Sequence, residues 1–405
     1  MININKNQKY LLACSFGPDS MALFDMLLKE GFSFEVAHVN YHLRKESDFE
    51  EEQLREYCKI KHVKLHVFQN KSIFKSNIEA NCREVRYDFF AYLYKKYCFD
   101  GLLVAHNEDD LIETYLLQKK RKNLVFHYGL ADKNIIKGMT VLRPLLALKK
   151  ESLLKYCDEH NVPYSIDQTN LLPMFERNKI RLNVVSKMTD LERADIISTI
   201  NKENQKLENI LFKIRNIDND ISNLLNLSEI EFAYYLNNRL QSLDIYRPIT
   251  YKQSMEIVKI LKSNKPNIAL TVAGKQAVIF KSYNQLLIEE NNSDFDSIIV
   301  AEPCVIDTQF LFCDLVKEGL KRNIKESDYP LTVRCYKQGD RYQIANYEVS
   351  VRRLFIDWKM PLNLRKRWPL FVNKDNKIVY IPRYRGDFKI ENSPNFYVKE
   401  CFTLK

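Results

Sequence analysis

Apolar residues in the first half of the chain fall alternately into short solid runs and into one-sided helical spacing. Residues 10–14, 34–39, 63–68 and 101–105 read as buried strands, and residues 20–29, 47–59, 77–97, 109–119 and 149–160 as helices. Strand and helix in alternation predict an α/β fold, a doubly wound parallel sheet of Rossmann-like build, over residues 1–187. Between Lys119 and Thr140 the pattern weakens. That segment opens on Lys119-Lys120-Arg121-Lys122, so an irregular or mobile insertion is expected there. From Asp190 to about Asn264 the spacing is helical, with Leu207, Ile210, Leu211 and Ile214 on one face. Two strand-like runs, 269–272 and 277–280, follow around a hairpin turn, and from about Ile298 short strands mix with a helix near 309–321. A chain of 405 residues is too long for one ordinary core. Three domains are expected: 1–187, a mainly helical linking domain over 188–297, and a small α+β domain over 298–405.

Composition changes this picture in three places. Hydrophobic residues at 45% and charged residues at 28% fit a globular chain, and no run spans a membrane. Leu11-Leu12-Ala13-Cys14 looks like a lipoprotein cleavage site, but the apolar stretch before the cysteine falls short of the ~7–15 residues of a signal core. The nine cysteines have no paired spacing and no CxxC, so they read as reduced core residues of a cytoplasmic protein; the seven histidines form no zinc spacing. The formal charge is +10, and residues 321–405 hold all of it: they carry 19 lysines and arginines against 9 acidic side chains, while residues 1–320 balance at 43 of each. Interleaved with Tyr342, Phe355, Trp358, Trp368, Tyr380 and Tyr384, this basic segment suits a polyanion with stackable bases, against the plain alternative of a solvated surface.

The chemistry concentrates in the turn Ser15-Phe16-Gly17-Pro18-Asp19-Ser20, between the first strand and the first helix. A helix start leaves backbone N–H groups unpartnered and carries partial positive charge, so it cradles a phosphate. Ser15 and Ser20 add hydroxyl donors, Gly17 lets the backbone approach, and Asp19 is suited to Mg²⁺, which prefers oxygen ligands. A plain strand-to-helix turn with Asp19 as its cap is the competing reading.

The loop resembles the Ser-Gly-Gly-x-Asp-Ser loop of the ATP pyrophosphatase (PP-loop) superfamily, whose members adenylate a substrate with ATP and release pyrophosphate. It is unlike a Walker A loop, since no Gly-Lys-Ser/Thr follows. Phe16 stands in place of the family's first glycine, and Pro18 fixes a φ angle.

Two further polar clusters lie at strand ends, where open α/β sheets bind ligands: His38-Val39-Asn40-Tyr41-His42-Leu43-Arg44, and Ala105-His106-Asn107-Glu108-Asp109-Asp110. With Glu113 and Thr114, Arg83-Glu84-Val85-Arg86-Tyr87, Asp167-Gln168-Thr169-Asn170, Arg177-Asn178-Lys179-Ile180-Arg181, Arg334, Gly339-Asp340-Arg341, Arg353-Leu354 and Arg367-Trp368-Pro369, they resemble segments of the tRNA(Ile)-lysidine synthetase family in order along the chain. Tyr41 and Asn107 depart from that pattern by replacing histidines, and Leu111 by replacing a glutamine.

The resemblance implies a catalytic ATP-binding domain at 1–187 and a tRNA-binding domain at 298–405. The substrates it implies are tRNA(Ile) with a CAU anticodon, free lysine and ATP, with Mg²⁺ as cofactor. It points to Asp19, His106, Asp110 and Arg86 as catalytic, with Asp19 on the metal, and to Ser15, Phe16, Gly17, Pro18, Asp19, Ser20 and His38 as nucleotide-binding. Arg83, Asp109, Asp167, Asn170, Arg177, Asn178 and Arg181 are the substrate-binding set. His106, with a pKa near neutrality, is expected to relay a proton or contact phosphate, and Asp110 or Asp109 to hold the lysine ammonium. The plain readings are an acidic first helix turn for Asp109-Asp110, ion pairing of Arg83 and Arg86 with Glu79 or Asp88, and structural hydrogen bonding for the segments from 167 to 181. Rival functions are another PP-loop tRNA-modifying enzyme, such as a thiolase, or a tRNA-binding protein with a degenerate nucleotide loop. Oligomeric state is left open.

Overall fold

Strand β1 (Lys9–Ala13) is the hub of the first half of the molecule, with Tyr10, Leu11 and Leu12 wholly buried. The computed structural model describes residues 2–399 apart from 44–45, 71–76, 167–175, 292–295, 309–310 and 385–394. The chain forms two compact units, Met1–Asn209 and Ile210–Lys405.

In the first unit β1 is followed by α1 (Pro18–Lys29), β2 (Ser33–Asn40), α2 (Ser47–Ile60), β3 (Leu65–Gln69), α3 (Ile78–Lys96), β4 (Gly101–Val104) and α4 (Glu108–Arg121). A hairpin of β5 (Lys133–Ile136) and β6 (Met139–Leu142) comes next, then α5 (Lys150–Glu159), α6 (Glu176–Asn183) and the start of α7 (Asp190–Arg215). The strands form one six-stranded sheet in the order β3-β2-β1-β4-β6-β5. All pairings are parallel except that of β5 with β6. Alternate residues of β1 feed two cores: Tyr10 and Leu12 pack with Met21, Phe24 and Leu153 on one face, and Leu11 packs with Tyr87, Phe90 and Leu102 on the other. The sheet therefore carries helices on both faces, as the apolar runs predict.

The segment expected to be irregular holds the end of α4 and the β5–β6 hairpin instead. Lys119, Lys120 and Arg121 form the last turn of α4, where cations favour the helix dipole. The hairpin escaped notice because β5 is an edge strand with only intermediate and exposed positions.

The second unit begins with the end of α7, then α8 (Ile221–Leu224), α9 (Glu229–Gln241) and α10 (Tyr251–Lys262), followed by an antiparallel sheet of β7 (Asn267–Val272), β8 (Ala277–Ser282) and β9 (Gln285–Glu290). Beyond it lie two more sheets. One is six-stranded, containing β10 (Ile298–Val300), and the other pairs β11 (Val305–Asp307) with β12 (Leu311–Asp314). The helix expected near 309–321 is, in its described part, β12 and then a single four-residue turn, Leu315–Glu318. Leu311 and Cys313 bury alternately against the core, which is strand periodicity.

The aromatics expected to stack on bases are core residues. Phe355, Trp368 and Tyr384 are buried, and Tyr342, Trp358 and Tyr380 pack against the same cluster. Lys337, Arg341, Arg352, Arg353, Lys359 and Arg383 are exposed and carry the positive charge at the surface. All eight described cysteines are free; Cys98 and Cys304 are exposed, contrary to the expectation of core residues.

Phe16 marks where the loop departs from the glycine pattern. Its φ is 63°, the left-handed region that favours glycine, yet its side chain is only 4% exposed and packs into the core under α1. Left-handed backbone costs a non-glycine residue about 1–2 kcal/mol, whereas emptying a buried phenylalanine site costs about 3–5 kcal/mol. Burial wins, so Phe16→Gly is expected to lower stability by on the order of 2–3 kcal/mol in urea denaturation. An unchanged midpoint would show that the ring contributes no net packing.

Candidate active site

In a sheet ordered β3-β2-β1-β4-β6-β5, chain direction reverses its lateral progress between β1 and β4, and ligands bind beyond the carboxyl ends at such a point. A cavity of about 240 Å³ lies there. It is lined by Ser15, Gly17, Asp19 and Ser20 from the β1 loop, Tyr41 from beyond β2, Arg86, Tyr87 and Phe90 from α3, and His106 and Asp110 from beyond β4.

The β1 loop is held by its own hydroxyls. Ser20 Oγ donates to the Gly17 carbonyl (2.9 Å) and accepts from the Ser15 backbone N–H (3.3 Å). Gly17 is the N-cap of α1 and Pro18 its first residue, with no side chain capping the helix start. The reading of Asp19 as the cap is thereby set aside. Gly17 has a φ of −79°, and a Cβ there would meet only Ser15 Oγ at 3.4 Å; the positive φ falls one residue earlier, at Phe16.

Asp19 is the most perturbed carboxylate of the cavity. Burial pushes its pKa up to about 6, reinforced by Asp110 and opposed by Lys150, a hydrogen bond from Asn107 and Arg181. Its Oδ1 is buried with no hydrogen-bond partner. Such an atom calls for a cation or a donor. Among the described residues no group of three or more His, Cys, Asp or Glu could hold a metal.

Asn107 and Asp110 form the capping box of α4, each side chain accepting from the other's backbone N–H at 3.1 Å. Asp110 Oδ1 also accepts from Arg177 (2.8 Å) and Arg181 (3.4 Å), and the wholly buried Glu113 accepts from Arg177 (2.8 Å) and Arg181 (2.5 and 2.9 Å). Asp109 instead pairs with Arg193 at 2.8 Å and is not among the residues lining the cavity. Of the two acids expected to hold a lysine ammonium, only Asp110 faces the site.

His106 differs from the expectation of a near-neutral pKa. Desolvation first, then the charges of Arg143, Arg177 and Arg83, pull its pKa down to about 4 against the opposing pull of Asp110, so the ring is neutral at physiological pH. His38, expected at the nucleotide, is buried between strands with Nδ1 2.9 Å from the Cys14 carbonyl and does not line the cavity. Tyr41 lies at the cavity, its hydroxyl donating to the Cys82 carbonyl (2.6 Å) and its pKa pushed up to about 12 by burial.

Arg86 lines the cavity, and Arg83 lies 4.7 Å over the Tyr87 ring. Of the two acids in their plain reading, Asp88 pairs with Lys137, as Glu84 does, and the Glu79 side chain lies outside what the structure describes. Asn178 is buried on α6. Asp167 and Asn170 lie outside the described residues. Sequence reasoning gave no role to Arg143, Glu113 or Asn107, and Arg143 was hidden because the strand before it was not recognised.

A PP-loop domain family matches residues 1–188, and a TilS substrate C-terminal domain family matches residues 331–396. A tRNA(Ile)-lysidine synthase of Mycoplasma mycoides subsp. mycoides is 34% identical over 94% of this chain and 98% of its own length. The chain belongs to the tRNA(Ile)-lysidine synthase family. A second synthase, of Mesoplasma florum, is 34% identical over 74% of this chain and 75% of its own length. Among solved structures, the U34-tRNA thiolase NcsA of Methanococcus maripaludis aligns with a TM-score of 0.43 at 14% identity, covering 50% of this chain and 74% of its own. The synthase family is the one the ordered segments from Ser15 to Pro369 resemble, and its ATP-using PP-loop domain contains every element that lines the cavity.

The Asp19 shift has a measurable sign. Its folded pKa, about 6, stands above the ordinary 3.8, so the stability it contributes at low pH is lost as pH rises through about 6. Asp19→Asn is therefore expected to raise stability at pH 8 by on the order of 1 kcal/mol and to change it little at pH 4. Urea denaturation at both pH values reads this, and an equal change at both would remove burial of the charge as its cause.

Proposed function

We propose that the crevice beyond β1 and β4 carries both half-reactions of lysidine formation. The protein is an ATP-dependent ligase that modifies tRNA(Ile). The cytidine O2 at the wobble position of the CAU anticodon attacks the α-phosphorus of ATP, the bond to the bridging oxygen breaks, and pyrophosphate leaves with the electron pair. The neutral ε-amine of lysine then attacks C2, AMP leaves, and the amine sheds its proton. The product reads AUA in place of AUG.

One observation carries the assignment of the catalytic centre: Asp19 sets a buried, unpartnered carboxylate oxygen beside an uncapped helix start. Backbone N–H groups at that start, with Ser15, Gly17 and Ser20, would restrain the β- and γ-phosphates, while Phe16 and Pro18 fix the turn. Asp19 would hold Mg²⁺, whose charge offsets that of the phosphates. Arg86, with Arg83 behind it, would meet negative charge developing at the α-phosphate. Asp110 is the group we assign to the lysine ammonium, which would take over hydrogen bonds now made by Arg177 and Arg181. Asp167, Asn170, Arg177, Asn178 and Arg181 would line the approach for lysine and the anticodon. Residues 298–405 would grip the tRNA through the exposed lysines and arginines, and residues 188–297 would link the two ends.

Incubation with unmodified tRNA(Ile), ATP, Mg²⁺ and labelled lysine should yield lysidine by mass spectrometry, with one pyrophosphate per modified base. Pyrophosphate release without lysine incorporation would point to another adenylating enzyme, and no ATP turnover to a binding protein. Asp19→Ala should cut pyrophosphate release by about 100-fold or more. Its tRNA affinity should stay within about twofold, since the phosphate-backbone contacts lie elsewhere. Retained turnover would remove Asp19 from its role.

A further inference from the structure

Arg143, at the end of β6, is a buried cation. It is 5% exposed, and Asp132 acts on it by charge without a hydrogen bond to its guanidinium among the described residues. Its guanidinium is spent on three neutral acceptors: the Ala131 carbonyl (2.6 Å), Asn134 Oδ1 (3.0 Å) and, through Nε, His106 Nδ1 (3.0 Å). Burying a charge is costly unless it is paired and hydrogen-bonded, and here hydrogen bonds to neutral acceptors supply the offset.

A guanidinium has donors only. His106 Nδ1 must therefore present its lone pair to Arg143, and the single proton of the neutral ring must sit on Nε2. His106 lines the cavity, and among the described residues no protein group accepts from Nε2. We propose that Arg143 is a positioning residue that locks His106 as the Nε2–H tautomer, making the imidazole a hydrogen-bond donor to phosphate oxygens and not the base that deprotonates lysine. The tautomer stands on geometry alone, and the identity of the acceptor rests on the ATP-dependent reading above.

The charged groups facing His106 agree with this. Arg83 on α3, Arg177 on α6 and Arg143 beyond β6 all disfavour a second ring proton, and Asp110 on α4 opposes them. A neutral donor has a chemical advantage here. It stabilises charge as pyrophosphate departs without surrendering a proton, so it needs no return of that proton before the lysine step.

The test is nitrogen-15 NMR of the histidine rings in the full-length protein, with His106 assigned by comparison with His106→Gln. The wild type should show an unprotonated Nδ1 and a protonated Nε2 from pH 5.5 to 8, with no titration near 6.5. A protonated Nδ1, or a ring that titrates near 6.5, would overturn the proposal whether or not the protein is active. In Arg143→Met the ring should become a tautomer mixture that titrates closer to neutrality, and kcat for pyrophosphate release should fall by about 10- to 100-fold with KM for ATP nearly unchanged. Arg143→Lys, which keeps one donor, should recover part of the loss. If Arg143→Met fails to fold, the wild-type spectrum still decides the point. A wild type with the expected tautomer but no pyrophosphate release would leave the lock standing and sink the enzymatic reading instead.

Discussion

Parallel pairing of β1 with β2 on one side and β4 on the other is the constraint from which the site follows. Parallel strands all run out at the same edge, and the connections on opposite sides of β1 leave that edge along different faces. The Ser15–Ser20 loop, Tyr41 and His106 are thereby brought around one cavity although they lie far apart in the chain. The burial of β1 on both faces holds this edge rigid, because neither core can relax without opening the other.

Around that edge the charges are balanced in pairs. Asp110 and Glu113 meet Arg177 and Arg181, while Glu108 and Asp109 meet Arg193. Buried ions persist only when paired, so these contacts tie α4 to α6 and α7. Asp19 and Arg143 stand outside these pairs. One is an acid whose Oδ1 has no donor, and the other a base whose guanidinium hydrogen bonds go to neutral acceptors. Charged groups left out of such pairing mark a candidate functional site.

Much of this was legible in the sequence. Solid apolar runs marked β1 to β4 of the central sheet but not β5 or β6, since a strand buried on both faces shows no alternation to confuse with a helix. The polar clusters at strand ends located the cavity, and Ser15, Gly17, Asp19, Ser20, Arg86, His106 and Asp110 all line it. Partner choice was not legible. Asp109 and Asp110 are adjacent in sequence but project to different helices, and only the packing of α6 and α7 separates their roles. His38 has the composition of a ligand and the surroundings of a core residue. The weakly patterned hairpin concealed Arg143, and the aromatics of the basic segment turned inward because a small mixed domain needs them to fill its core.

The Phe16 carbonyl accepts a hydrogen bond from the Ser165 backbone N–H (3.0 Å), and the Ser165 hydroxyl donates to Glu50 (2.7 Å). The first turn of the loop is thus moored to the stretch of backbone that follows α5. Any displacement of the loop must either break this mooring or haul residue 165 with it.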